Sequence, residues 1–340
     1  MKTAIIGTGR IAIKLEDDQL RPKPCTHLGA LIELNKNQEK FQLIGICDLN
    51  SDHSMAAAGK FSSLQIAPVI NKSYKKIIDL NPELLIIAST TNSHYEILMH
   101  AMEKKIPNIV CEKPICLNRE QALKIHEKAI KQGTQIWINY ERRFHKKYID
   151  LKSCIESREP YGKILSYTGQ LFSSLSKFHR SKNDEGVLLH DTTHLLDLAY
   201  FLFGSPFKNN NDLIPKETIP ITENTATHTM LISHNKSLNG VIRTIIGVPY
   251  FHFEMELIFE EARIRVGNGF YCVEVGEQSP LYEGFFSLKK PKYINKEPKS
   301  VLDNPFMKLY NDVYGNVYDP SGLKDACQNV MHLSINSHGL

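Results

Sequence analysis

Short apolar runs alternate with amphipathic stretches through the first 140 residues. Ala4-Ile5-Ile6, Leu43-Ile44-Gly45-Ile46-Cys47, Leu84-Leu85-Ile86-Ile87-Ala88, Ile109-Val110-Cys111 and Ile136-Trp137-Ile138 are too short for helices and almost unbroken. That pattern predicts strands buried on both faces. Helical spacing fills the gaps, over His27 to Leu34, Ser54 to Lys60, a start near Ser73, His94 to Lys104 and Arg119 to Gln132. Val69-Ile70 adds a short strand. Strands separated by helices imply right-handed crossovers and a parallel sheet.

The pattern changes near Arg143. Ile164 to Leu171, Thr225 to His234, Leu238 to Ile246, Phe251 to Phe259 and Ala262 to Val266 alternate with period two, as antiparallel strands do. Two helices accompany them, His194 to Phe203 and Leu323 to Asn336. The expected fold is therefore α/β in two domains. Residues 1–142 form a doubly wound, Rossmann-type domain, and residues 143–340 an α/β domain with an open, mostly antiparallel sheet.

The first strand runs straight into Gly7-Thr8-Gly9-Arg10-Ile11-Ala12, a G-x-G-x-x-A turn, with helix-forming residues after it. Gly7 permits a tight turn, Gly9 lets a backbone approach a pyrophosphate, and Ala12 allows close packing of helix on strand. A helix start there favours negative charge through its unpaired N–H groups and its dipole. The second strand ends in Asp48, whose carboxylate can accept the hydroxyls of an adenosine ribose. The acidic residue usually follows the glycines by about 20 residues, and here the gap is nearly twice that. Glu16 to Thr26, with two prolines and several charges, reads as a loop insertion that accounts for the difference.

Composition narrows the field. The chain has 340 residues, 42% hydrophobic and 23% charged, as an ordinary globular protein of more than one domain. A net charge of +4, with scattered cations, gives no footprint for nucleic acid. No apolar run approaches the ~20 residues of a membrane span, and the start reads as a strand rather than a secretory leader. Seven cysteines, an odd number without C-x-x-C pairing, suit reduced thiols in the cytoplasm.

Three segments carry candidate chemistry. Ser89-Thr90-Thr91-Asn92-Ser93-His94 follows a strand, and its small hydroxylated residues suit either a helix cap or contact with a flat ring and a ribose. Glu112-Lys113-Pro114 follows the next strand. An ammonium there can bond a substrate hydroxyl and stabilise alkoxide character; a plain surface lysine is the competing reading. In His190-Asp191-Thr192-Thr193-His194-Leu195-Leu196-Asp197, a helix would set His190, His194 and Asp197 on one face, which suits an acid/base pair. The H-x-x-x-H spacing also fits a metal, but no third ligand is tied to it, and no metal is expected.

Together these residues resemble the Gfo/Idh/MocA superfamily, the glucose–fructose oxidoreductase and inositol dehydrogenase group. Gly7 to Ala12 is similar to its dinucleotide fingerprint, Glu112-Lys113-Pro114 to its E-K-P signature, Asn139 to Phe144 to the segment leaving its nucleotide domain, and His194-Leu195-Leu196-Asp197 to its H-x-x-D element. The resemblance implies NAD(H) or NADP(H) and hydride exchange with a carbon of a sugar, cyclitol or related polyol. It places cofactor contacts on Gly7, Gly9, Arg10, Ile11, Asp48, Ser89, Thr90, Asn92, His94, Glu112 and Lys113. Lys113 polarises the reacting oxygen and His194 moves the proton. Many members carry an aspartate four residues before that histidine; here the residue is His190, with Asp191 beside it. Either His190 substitutes for the aspartate or Lys113 and His194 act alone.

Substrate contacts are expected at Lys113, Tyr140, Arg142, Asp191 and His194, with Arg143, His179 and Arg180 as weaker candidates for an anionic group. No arginine follows Asp48 to receive a 2′-phosphate, so NAD is favoured over NADP. The resemblance also implies a homo-oligomer, dimer or tetramer. The leading expectation is a cytoplasmic NAD-dependent oxidoreductase with a small polyol substrate and no nucleic-acid or membrane partner. NAD-dependent glycoside hydrolysis and cofactor binding without catalysis are the alternatives.

Overall fold

The computed structural model describes residues 1–61, 67–173, 188–206, 216–222, 225–234 and 238–334. In chain order the first elements are β1 (Lys2–Ile6), α1 (His27–Asn35), β2 (Gln42–Cys47), α2 (Ser51–Phe61), β3 (Val69–Asn71), α3 (Tyr74–Ile78), β4 (Leu84–Ile87), α4 (His94–Glu103), β5 (Asn108–Cys111), α5 (Arg119–Gln132) and β6 (Gln135–Ile138). There follow α6 (Lys146–Ser157), β7 (Ile164–Ser173), α7 (Thr193–Phe203), β8 (Lys216–Thr222), β9 (Thr225–His234), β10 (Leu238–Ile246), β11 (His252–Phe259), β12 (Ala262–Gly267), β13 (Phe270–Gln278), β14 (Phe286–Leu288) and β15 (Lys292–Tyr293). The chain closes with α8 (Pro305–Tyr314) and α9 (Ser321–Leu333).

Packing divides these elements into two units. One comprises Met1–His145 and Pro298–Ile335, the other Lys146–Glu297. The first unit is a six-stranded parallel sheet in the order β3-β2-β1-β4-β5-β6. That order reverses at β1 and β4, and ligands of such sheets bind beyond the carboxyl ends there. The unbroken apolar run of β4 is what this position demands: Leu84 to Ile87 are all fully buried. Burial of each such side chain contributes roughly 1.5–3 kcal/mol. Hydrogen bonds align the carboxyl ends. Gly7 N donates to Cys47 O (2.7 Å), Ala88 N to Ile6 O (2.8 Å), Glu112 N to Ile87 O (2.9 Å) and Asn139 N to Cys111 O (2.9 Å).

Residues 298–334, assigned to the second domain by their position in the sequence, pack on the first unit. There α8 lies on α1 and α9 on α5 and β6. The physical reason is amphipathic: Phe306, Leu309, Tyr310 and Val313 make an apolar stripe that joins the core of α1 and the sheet. Asn304 caps α8 by accepting from Phe306 N (2.8 Å), with Pro305 in the first turn.

Among the described residues the second unit holds a sheet in the order β14-β13-β12-β11-β7-β10-β9-β8, with β15 also on β13. Only β7 and β10 pair in parallel; the other neighbours are antiparallel. Inward residues of the alternating strands are the buried ones, as in Phe253, Met255, Leu257 and Phe259 of β11. The expected helix at His194 starts at Thr193 and is preceded by a π turn, Leu188–Thr192.

The cysteines are unpaired thiols. Cys111 and Cys116, which bracket Lys113, are buried, and burial pushes the Cys116 thiol up to about 12. Neither is a nucleophile at neutral pH. Among the described residues no helix is long and apolar enough to cross a membrane.

Candidate functional site

The glycine turn leaves β1 at Gly7, whose φ is +89°. A Cβ there would sit 2.5 Å from Ser89 N, so only glycine lets the β1 exit pass the β4 exit. At Gly9 the opposite holds: a Cβ would meet nothing within 4 Å. The space over Gly9 is thus a cradle that a side chain would fill.

An α-helix does not follow the glycines directly. Ile13 N and Lys14 N donate to Gly9 O (3.2 and 3.3 Å), closing one turn, and a 3₁₀ segment Lys14–Asp17 succeeds it. The chain then makes an excursion and returns as α1. His27 N donates to Ile11 O (3.1 Å) and Leu28 N to Ala12 O (3.0 Å). The long helix therefore docks on the turn it would otherwise have continued, and the excursion explains the wide gap to Asp48. Those two α1 amides are taken up by the turn and are not offered to an anion. Thr26 caps α1 by accepting from Gly29 N (3.0 Å), and Glu16 accepts from Thr26 Oγ1 (2.7 Å).

Asp48 sits half-buried at the end of β2. Its Oδ2 accepts from Thr8 N (2.7 Å) and Thr8 Oγ1 (2.8 Å), and its Oδ1 from Asn50 N (2.9 Å). Burial raises its pKa, but these bonds and the charge of His53 outweigh it and hold the carboxyl below its ordinary value. A carboxylate has about four acceptor directions, so one remains on Oδ1 for a ribose hydroxyl.

Beyond β4, Ser89 Oγ and Ser93 Oγ share a hydrogen bond (2.7 Å), and Ser93 Oγ lies 2.8 Å from the Thr90 carbonyl. Thr90 and Asn92 are exposed. His94 is buried with Nδ1 2.9 Å from Pro114 O and Nε2 3.1 Å from Ser89 O. Its ring ties the β4 exit to the segment after β5, a structural task for a residue expected to touch the cofactor.

Lys113 is half-buried and follows Glu112, which is buried. Glu112 Oε1 accepts from His27 Nε2 (2.9 Å) and Asn139 Nδ2 (2.6 Å). Tyr310 lies 2.6 Å from His27 Nδ1 through its hydroxyl. Burial raises the Glu112 pKa; bonds from His27 and Asn139 and the charges of His27 and Lys113 reverse this and leave it below the usual range. Burial, then the Glu112 charge, push the Tyr310 hydroxyl well up. An ionised carboxylate only accepts, so His27 donates through Nε2. The chain Tyr310–His27–Glu112 thus fixes the backbone that carries Lys113. Sequence reading missed His27 and Tyr310. Tyr310 lies 283 residues from His27, and no local spacing announces it.

Tyr140 and Arg142 are buried in this unit. Arg143, weighed as an anion contact, is ion-paired through Nη2 with Asp325 Oδ2 of α9 (2.7 Å), both side chains buried. Burial raises the Asp325 pKa even against the arginine's charge.

In the second unit, His190 and Asp191 lie in the π turn and His194 in the first turn of α7. The expected single helical face does not extend across that turn, because a π turn bonds i to i+5. His190 Nδ1 is 2.8 Å from Asp191 Oδ1, and Ser173 Oγ donates to Asp191 Oδ2 (2.8 Å). Asp191, expected at the substrate, therefore presents its two oxygens to protein groups. Asp197 is buried. Among the described residues no group of three His, Cys, Asp or Glu side chains could hold a metal. His179, Arg180, Gly186 and Val187 lie outside the described residues.

Residues 1–140 match the model of the GFO_IDH_MocA family, described as an oxidoreductase family with an NAD-binding Rossmann fold. The first 140 residues are thus similar to the NAD-binding Rossmann domain of the Gfo/Idh/MocA oxidoreductases. It is similar to the inositol 2-dehydrogenase of Salmonella typhimurium, 22% identical over 253 residues, which cover 74% of this chain and 68% of the relative. Among solved structures it superposes on the UDP-N-acetylglucosamine 3-dehydrogenase of Acidithiobacillus ferrooxidans with a TM-score of 0.71 at 15% identity, over 98% of this chain and 97% of that one. An oxidoreductase of Agrobacterium radiobacter, crystallised with NAD+, L-tartaric acid and magnesium, matches with a TM-score of 0.67 at 16% identity, over 97% and 93%. These likenesses establish the shared fold.

The cofactor of this family is NAD, and the residues present fit it. The open cradle at Gly9 suits a pyrophosphate, the ionised Asp48 suits a ribose hydroxyl, and both lie at the carboxyl end of the family's Rossmann sheet.

Proposed function

We propose that this chain is a Gfo/Idh/MocA oxidoreductase that exchanges hydride between NAD(H) and a secondary-alcohol carbon of a sugar, cyclitol or sugar derivative. The observation that carries the reading is Lys113, held at the end of β5 by the buried Glu112 anchor in the unit with the Gly9 cradle. Relatives named for inositol and for a sugar nucleotide support the substrate class. When bound, NAD supplies the hydride acceptor, and NADH the donor. The chain supplies everything else. Lys113 donates to the reacting oxygen and stabilises its negative character. His190 and His194 are the imidazoles proposed to take or return the hydroxyl proton. Asp48 holds the ribose and disfavours a 2′-phosphate by charge.

The second unit is proposed to bind the polyol and to join copies of the chain. Tyr282, Phe285 and Phe286, next to the β13–β14 pairing, are about two-thirds exposed or more, and such apolar surface favours association. Seven reduced thiols suit a cytoplasmic setting.

The test is an absorbance screen at the NADH band with sugars, cyclitols, sugar acids and sugar nucleotides. Stoichiometric NADH formation with at least one polyol is expected. Release of a glycosidic leaving group without net NADH would replace this reading with redox-neutral hydrolysis.

A further inference from the structure

The π turn before α7 is pinned to two neighbouring strands. Ser173 ends β7 and donates to Asp191 Oδ2 (2.8 Å). Thr192 Oγ1 shares a hydrogen bond with Thr244 Oγ1 of β10 (2.8 Å), and both threonines are fully buried. β7 and β10 are parallel neighbours, with Leu171 opposite Thr244. The turn thus has one anchor on each strand, and consecutive residues, Asp191 and Thr192, provide them.

This pinning has a chemical consequence. Asp191 Oδ1 faces His190 Nδ1 at 2.8 Å. An ionised carboxylate only accepts, so Nδ1 must carry the proton in that contact. In the uncharged ring the proton-accepting nitrogen is then Nε2. Ser173 occupies the other carboxylate oxygen and so limits its rotation. A base oriented by a carboxylate that is itself oriented is the arrangement general-base chemistry uses.

We infer that Asp191 and Ser173 are positioning residues that set the tautomer of His190, making Nε2 of His190 the proton acceptor in the oxidation. This rests on the proposed alcohol oxidation and assigns the base within it. His190 removes the hydroxyl proton through Nε2 as hydride leaves the same carbon for NAD+; the imidazolium later releases that proton to water. Two electrons and one proton leave with the hydride, the second proton leaves through His190, and the alcohol becomes a carbonyl.

The test uses the full chain labelled with ¹⁵N-histidine. Long-range ¹H–¹⁵N spectra at neutral pH read which ring nitrogen is protonated, with His190→Gln to assign the signal. The expected result is the Nδ1–H form in the parent protein and its loss in Asp191→Asn. Turnover of Asp191→Asn falls roughly hundredfold with KM for the polyol little changed, and Asp191→Glu recovers part of it. Ser173→Ala shows a smaller loss of the same kind. An Nε2–H form in the parent, or an Asp191→Asn protein with the parent's tautomer and turnover, overturns the inference. Melting curves separate these outcomes from misfolding. The tautomer needs no substrate: an Nδ1–H signal that depends on Asp191, in a protein that oxidises no polyol, upholds the positioning and sinks the substrate reading instead.

Discussion

Glu112 Oε1 lies 2.9 Å from His27 Nε2, across 85 residues of sequence. The two residues come from the end of β5 and the start of α1, and both are buried. Their bond ties the strand that delivers Lys113 to the helix that docks on the glycine turn. Removing one partner of a buried charged contact costs roughly 3–5 kcal/mol, so Glu112→Ala is expected to lower the melting temperature strongly. Glu112→Gln keeps the shape and should cost less. The pH dependence separates them from a packing effect. The folded-state pKa of Glu112 is lowered, so its carboxylate stabilises the fold at any pH above the unfolded value, about 4.3. That stabilisation is lost as pH falls through the lower folded-state value. Melts taken from neutral to acid pH should show a steeper decline for the parent than for Glu112→Gln.

Lys113→Met keeps the length of the stem and removes the ammonium. Turnover is expected to fall at least roughly hundredfold, while the dissociation constant for NADH stays within about threefold. Steady-state rates and a fluorescence titration give the two numbers. A variant with parental turnover removes Lys113 from the chemistry.

Asp48 is ionised and locked to Thr8 and Asn50. A 2′-phosphate brought beside it meets like charge. Direct titration should show tighter binding of NADH than of NADPH, and Asp48→Ser should narrow the ratio by on the order of tenfold, ~1.4 kcal/mol. An unchanged ratio means that the ribose lies elsewhere.

Arg143 and Asp325 form a buried pair, 2.7 Å apart. Arg143→Met leaves a carboxylate whose pKa burial already raises, and roughly 3–5 kcal/mol of stability is expected to be lost. The double variant Arg143→Met/Asp325→Leu should recover much of it. KM for the polyol is expected to stay put in both. A raised KM in the stable double variant would restore Arg143 as a substrate contact.

The parallel sheet was legible because the burial of its inner strands is written in consecutive apolar residues, as in Leu84 to Ile87. The strand-end residues Gly7, Asp48 and Lys113 were legible for the same reason, since the ends of such runs are sharp. What stayed hidden was non-local or irregular. His27 looks like any helix residue until α8 brings Tyr310 to its ring. The helix α8 was not read from the sequence, and nothing in its Asn304-Pro305 start says that it returns to the first unit. The His190–His194 spacing assumed a uniform helix, and the π turn at Leu188–Thr192 broke that assumption. The strands β8, β14 and β15 are short, interrupted by proline, or exposed, and carry no strong alternation.

The central claim, that the turn at Gly9 receives the pyrophosphate of NAD, has a direct test in Gly9→Val. A Cβ at Gly9 meets nothing within 4 Å, so the fold should tolerate a side chain there, whereas the ligand should not. Fluorescence titration with NADH is the measurement, with a melting curve as the control. Saturable binding by the parent, and binding at least roughly a hundredfold weaker, about 2.7 kcal/mol, in a variant that melts like the parent, is the predicted result. A Gly9→Val protein that binds NADH as the parent does, or a parent that binds none, contradicts it.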